Sequence, residues 1–283
     1  MWPGFSDFYV SVIILLLLSR VREAVMICCV PRVAPLIHPK FTGRDREERT
    51  RKTAKYVFKM GYYAIELLAG YWALGDQDFL PPSLLGGGDP TVCYRDYPLT
   101  EVAPKIKAYY LFTFAYHLDS FLVLLLEGPR KDFGELFLHH FTTLVLISFS
   151  YLSNFARCGS MVLFVHDFSE LPIAVCRIFV DMKGKKWIVV GSFAALVLSW
   201  VYSRIVVFPK DVIMGITRSG WRYEVHYNNT FLLGLLWVLL VLHVNWLYHF
   251  LKIGLHLLKS NQAEDLVSKD AFQEQTQKNK NSD

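Results

Sequence analysis

Apolar runs of roughly 20 residues recur along almost the whole chain, each bounded by a short polar or charged connection. A hydrocarbon core about 30 Å thick takes roughly 20 apolar helical residues to cross, so the pattern predicts membrane spans. Seven are predicted, at roughly 5–28, 56–75, 107–126, 133–152, 158–180, 187–208 and 229–257. The expected fold is an all-α integral membrane protein, a bundle of about seven transmembrane helices. The first run, FYVSVIILLLLS, has the length of a signal-peptide core. Its leader MWPGFSD carries no positive charge and no small-residue cleavage site follows, so it reads as a retained anchor.

Composition agrees: 53% of residues are apolar and 15% aromatic, which excludes an ordinary soluble domain. The net charge is +5, but its placement says more. The first connection carries Arg32, Lys40, Arg44, Arg46, Arg49, Arg51, Lys52 and Lys55. Arg130 and Lys131 precede the fourth span, and Lys183, Lys185 and Lys186 precede the sixth. The connection after the second span is acidic, with Asp76, Asp78, Asp89, Asp96 and Glu101. The positive-inside rule puts the basic connections and the C-terminus in the cytosol and the N-terminus in the lumen. The basic run GRDREERTRK lies between two spans and reads as a solvated cytosolic helix, with no nucleic-acid partner. Cys28, Cys29, Cys93, Cys158 and Cys176 show neither metal-ligand spacing nor a disulfide framework. Cys28 and Cys29, at a membrane edge, suit palmitoylation or plain apolar filling equally. The chain divides into residues 1–50 (lumenal terminus, first anchor, basic connection), a membrane domain at 51–258, and a polar tail at 259–283 that reads as disordered.

Two spans carry polar stripes. In the fourth, Asp132 fits an N-cap with Glu135 three positions on. At 100° per residue, Asp132, Glu135, His139, Thr142 and Thr143 share an arc of roughly 100° on an otherwise apolar helix. His140 is rotated about 100° from His139. Glu135 stands at i−4 from His139 and is a candidate hydrogen-bond acceptor for it. In the fifth, His166, Asp167, Glu170 and Arg177 fall within a similar arc, and Pro172 is expected to kink the helix. Ionisable groups at membrane depth belong in the bundle interior and mark function. For His117, Asp119, His243, Asn245 and His249, helix–helix hydrogen bonding is an equally good reading. Arg204, placed near the end of the sixth span, reads as a snorkelling or phosphate-pairing residue.

The nine histidines form no repeated H-x-x-H-H cluster, so no metal site is expected. Imidazole with a carboxylate partner and no metal points to acyl transfer, the carboxylate fixing the tautomer. No serine sits in a nucleophile-elbow context, so the nucleophile is the substrate or a histidine. Counted at 1.5 Å per residue, His139 lies about 10 Å from the cytosolic end of its span and His166 about 22 Å, a gap that tilt, a kink or a boundary shift must close.

The run RKDFGELFLHHFTTLVLISFSYLSNFARCGSMVLFVHDFSELPIAVCR, residues 130–177, resembles the signature of ceramide synthases in the TLC-domain family. RKDF, the paired HH, LISFSY, N-x-x-R-x-G and HD keep order and spacing. Weaker likeness lies in GYWAL from Gly70, YRDYP from Tyr94, RIVVFP from Arg204, and His243 ahead of Trp246. The resemblance implies a TLC-type bundle enclosing a polar site and a lipid-chain cavity in the endoplasmic reticulum membrane. It implies transfer of a fatty acyl group from acyl-CoA to the amine of a sphingoid base, with acyl-CoA as co-substrate and no cofactor. Homo- or hetero-dimerisation is left open. By that likeness His139, His140, His166 and Asp167 are the catalytic set, and Asp132, Glu135, Glu170 and Arg157 support them. Arg130, Lys131, Lys185 and Lys186 would meet the CoA. The alternative is a non-enzymatic TLC-domain protein that senses lipid or handles cargo, but such relatives often lack the full HH and HD set. Departures are Glu170 where the family usually has Asp, Ala174 where an acidic residue usually follows, and Pro172. Asp119 is a candidate stand-in for the missing carboxylate.

Overall fold

A computed structural model describes residues 3–127, 132–225 and 227–260. The expected disordered tail beyond 260, and Arg130 and Lys131, lie outside the described residues. The described residues are all-helical: α1 (Phe8–Val33), α2 (Gly43–Leu74), α3 (Pro104–Leu126), α4 (Phe133–Leu152), α5 (Ala156–Phe179), α6 (Lys186–Arg222) and α7 (Tyr227–Ser260). Among the described residues four helical stretches are long and apolar enough to cross a membrane: Pro104–Leu126, Phe133–Leu152, Lys186–Arg222 and Asn229–His256. The remaining long helices carry charge in their apolar runs. Much of that charge is buried: Glu66 of α2 is 3% exposed and Asp167 of α5 is 5% exposed.

α5 is the central helix, packed against α2, α3, α4 and α6. Its contact with α2 is extensive, and Gly70 explains how close the two come. A Cβ there would stand 2.6 Å from the Phe164 ring of α5, inside van der Waals contact. Pro172 sits within an unbroken α5.

α6 corrects the predicted boundary. Instead of stopping near Pro209, the helix continues to Arg222 through a π-helical stretch, Val201–Ile213, that contains the proline. The wider turn takes in a residue that an α-helix interior rejects. α2 likewise begins at Gly43, so the basic run is its first turns. That run is helical as expected but not fully solvated. Arg49 is 7% exposed, pairs with Asp181 at 2.6 Å and Asp45 at 2.8 Å, and covers the Phe41 ring. Asp132 does occupy the N-cap of α4, yet its side chain makes no capping hydrogen bond.

The Pro/Gly loop at 75–103 is a packed cap over one end of the bundle. Phe79, Leu80 and Leu84 are fully buried in it. Gly88 passes so close to Asp78 that a Cβ would lie 2.2 Å from the Asp78 carbonyl oxygen, so no larger residue fits. Tyr94 Oη donates to Asn229 at 2.8 Å, Ser219 Oγ accepts from the Tyr94 amide at 3.0 Å, and Asn154 donates to the carbonyls of Pro98 and Thr100. Contrary to the expectation of no disulfide, Cys93 of the loop is bonded to Cys158 of α5. They are 65 residues apart, and only the packing of the loop onto α5 brings them together. The opposite end of the bundle carries the basic first turns of α2 and the α5–α6 connection, which meet through Arg49 and Asp181.

Candidate active site

A chamber lined by α2 to α7 and the loop cap runs through the bundle. Toward the basic end it is walled by Lys59, Tyr116, His117, Ser120 and His140. Its middle holds Glu66, His139, Thr143, His166, Asp167, Glu170 and Arg204. Beyond them the walls turn apolar, with Leu146, Ile147, Leu163, Leu232 and Leu236, and Tyr94, Phe155, Cys158 and Asn229 close the loop end. From His139 to Ser150, both on its α4 wall, is about 16 Å at 1.5 Å per residue, room for a long alkyl chain.

Of the polar arc of α4, His139 and Thr143 face this chamber. Thr142 and Thr143 are buried, and both His139 and His140 reach the lining despite their rotation, their rings 5.5 Å apart. His139 stands edge-on to Trp246 at 5.1 Å, and its Nδ1 is buried without a partner. His166 Nδ1 lies 2.5 Å from the Val162 carbonyl oxygen, which can only accept. Nδ1 therefore carries the proton, and Nε2 keeps a free lone pair, buried and unpartnered. The depth gap between the two histidines closes on α7. His166 packs on His243 at 5.0 Å and His139 on Trp246, three positions and about 4.5 Å further along.

The tautomer of His166 is thus set by a backbone carbonyl and not by a carboxylate. Asp167 cannot serve it, because adjacent helical residues point about 100° apart. Asp167 instead accepts from Tyr109 Oη at 2.6 Å.

Arg204 overturns its surface reading. It is 2% exposed and stacks over Trp200 at 4.7 Å. Nε donates to Ser169 Oγ at 2.9 Å, Nη1 to His243 Nε2 at 3.2 Å, and Nη2 to the His166 carbonyl at 3.0 Å and to Glu170 at 2.6 Å. It ties α5, α6 and α7 together at the chamber. The misplaced span end hid it: once α6 is known to run from Lys186 to Arg222, Arg204 is its midpoint.

The other expected supporters lie elsewhere. Neither Asp132 nor Glu135 lines the chamber, and no hydrogen bond joins Glu135 to His139. Arg157 pairs with Asp78 and covers Phe79 at 4.8 Å, fastening the loop cap far from the imidazoles. Lys185 and Lys186 are exposed at the start of α6 and outside the lining. Asp119 is no stand-in either: it pairs with Arg22 of α1 and accepts from Ser19 at 2.9 Å. Ala174 is buried in an aromatic cluster with Phe58, Tyr62, Tyr63 and Tyr116. The extra carboxylate in the chamber is Glu66 of α2, which sequence reasoning passed over. Its signal was one acid inside the apolar stretch YYAIELLAG.

Residues 52–252 match the TLC domain. The chain is 28% identical to ceramide synthase 4 of Homo sapiens over 81% of its own length and 56% of that protein's. It is 26% identical to ceramide synthase hyl-2 of Caenorhabditis elegans, covering 100% of this chain and 91% of the relative. It is 31% identical to a ceramide synthase of Arabidopsis thaliana over 74% of this chain and 71% of the relative. The chain thus spans about half the length of the human relative.

Proposed function

Because the chain belongs to the TLC-domain family, we propose that it transfers the acyl group of a fatty acyl-CoA to the amine of a sphingoid base, forming a ceramide or dihydroceramide. The observation that carries this reading is the chamber itself. Unpartnered imidazole nitrogens sit where the polar half of the chamber meets its apolar half, the sleeve. A fatty thioester has the same division: an alkyl tail, a reactive carbonyl and an anionic carrier. With the tail in the sleeve, the acyl carbon comes to His139 and the CoA remains at the basic end. His166 Nε2, unprotonated and uncommitted, suits the proton-accepting role.

The reaction then balances simply. The thioester C–S bond breaks, the amide C–N bond forms, a proton of the amine passes to an imidazole, and CoA leaves as its thiol. His139 either holds the acyl group as an acyl-imidazole between the two substrates or assists direct attack by the amine. Trapping of acyl-CoA without amine separates these: a covalent adduct present in the wild type and absent in His139→Ala marks the first. His140 lines the same wall and is the second member of the pair. The reaction invokes no cofactor.

The proposed setting is the endoplasmic reticulum membrane, crossed seven times, with the N-terminus lumenal and the C-terminus cytosolic. The Cys93–Cys158 bond at the loop end suits an oxidising lumen, and the basic connections suit the cytosol. The test is expression of the full chain in yeast lacking its own ceramide synthases, with an acyl-CoA length series and sphinganine. N-acylated product from the wild type, and none from the His139→Ala/His140→Ala variant inserted at equal level, is expected. Product from that variant, or none from the wild type at any chain length, overturns the reading. A lipid-sensing or cargo-handling role corresponds to the second outcome.

A further inference from the structure

Carboxylates in the chamber outnumber the cations that answer them. Glu66, Asp167 and Glu170 all face it, and Arg204 is committed to Glu170. Lys59, its other cation, stands at the basic end beside the Tyr56 ring. Glu66 and Asp167 are held by hydroxyls alone. Tyr62 donates to Glu66 Oε1 at 2.9 Å, and Tyr109 donates to Asp167 Oδ2 at 2.6 Å. Among the described residues neither forms an ion pair.

Their juxtaposition follows from helix register. α2 and α5 are antiparallel and touch at Gly70 and Phe164. Four residues back along α2 and three forward along α5 lead the same way, to Glu66 and Asp167, and both line the same chamber. Two like charges out of water are costly unless a cation or proton stands between them. A separate observation points the same way. Thr143 is 7% exposed, lines the chamber from α4, and its Oγ1 has no partner. A primary ammonium brings three N–H donors and one positive charge. The free oxygens of Glu66 and Asp167, with Thr143 Oγ1 or His166 Nε2, can receive all three.

We propose that Glu66 and Asp167 bind the amine head of the sphingoid base as its ammonium, between α2 and α5 and next to His166. The ammonium gives one proton to His166 Nε2, which becomes imidazolium, and the neutral amine attacks the acyl carbon with its freed lone pair. As the C–N bond forms and the C–S bond breaks, the second amine proton leaves with the sulfur as the CoA thiol, and His166 returns its proton to solvent. This rests on the acyltransferase reading and adds where the amine lies and what selects it over an uncharged head group. The chamber thereby has two addresses: an anionic one for the base, and the neutral apolar sleeve for the acyl chain.

The test compares the full-length wild type with Glu66→Gln and Glu66→Asp in lipid nanodiscs. Glu66→Gln keeps an oxygen for Tyr62 and removes only the charge. The sphinganine KM of that variant should rise about 10- to 100-fold, the worth of one charged hydrogen bond. The acyl-CoA KM should stay within about twofold, and Glu66→Asp should recover most of the loss. An unchanged sphinganine KM in an active Glu66→Gln enzyme overturns this proposal and leaves the acyltransferase reading standing. Absence of N-acyl product from the wild type overturns that reading itself. Should Glu66→Gln not fold, the wild type decides alone. Octadecylamine must compete with sphinganine at least about tenfold better than octadecanol, and equal competition overturns the proposal.

Discussion

At the loop end of the chamber, side chains are tied down from several directions. Tyr94 reaches Asn229, Asn154 donates twice to loop carbonyls, Arg157 pairs with Asp78, and Cys93 is bonded to Cys158. In the polar half His139 Nδ1, His140 Nδ1, Thr143 Oγ1 and His166 Nε2 are buried without partners. A buried polar atom left alone costs about 1–3 kcal/mol, so a run of them survives only if the rest of the fold offsets the cost. The tight loop end can supply that offset, and the substrates can supply the missing partners. One region holds the bundle together, and the other is kept unfinished. Arg204 is the joint between them, since its bonds orient the unfinished half while its burial anchors three helices.

Breaking that joint should have the largest effect. Arg204→Met strands Glu170 and removes the donors to Ser169 and His243, and should cost about 3–5 kcal/mol. Thermal melting in detergent, read beside N-acylation, would show both falling; a stable variant would contradict the role given to Arg204. Next, Cys93→Ser with Cys158→Ser should cost about 2–4 kcal/mol, while product per folded molecule stays near wild type. A loss of turnover without loss of stability would contradict the division of labour. Gly70→Ala should cost about 1–3 kcal/mol by overpacking against Phe164. It should also weaken sphinganine binding more than acyl-CoA binding, because Glu66 moves with α2. Phe155→Ala should open the sleeve at the loop end. Preference for the next longer acyl-CoA should then rise about fourfold, the worth of one buried methylene near 0.8 kcal/mol, and product lengths by mass spectrometry report it. Smallest is Arg157→Ala. Asp78 is 47% exposed, so the pair is worth about 1 kcal/mol or less, and kinetic constants should not change.

The imidazoles of α4 and α5 and Asp167 were legible because several polar groups repeat on one helical face, and periodicity is a local signal. Glu66 was not, since one acid in an apolar run has no period to reveal its direction. The role of Arg157 was misjudged for a related reason. Its motif spacing fixes where it sits on α5 but says nothing of Asp78, its partner in the loop between α2 and α3, two helices earlier in sequence. The α6 boundary failed because proline normally ends an α-helix, whereas a π-helical stretch continues through it.

Hydrophobic run lengths, charge placement and helical periodicity are properties of neighbouring residues. The chain alone therefore determined that it is helical, which faces of α4 and α5 are polar, and which end of the bundle is basic. Whether a given polar group is paired or left free depends on what another helix presents to it. That is settled by crossing register, such as Gly70 against Phe164, and by residues as distant as Cys93 and Cys158. For this reason only the tertiary structure could separate Asp119, neutralised by Arg22, from Glu66, which faces the chamber with no cation beside it.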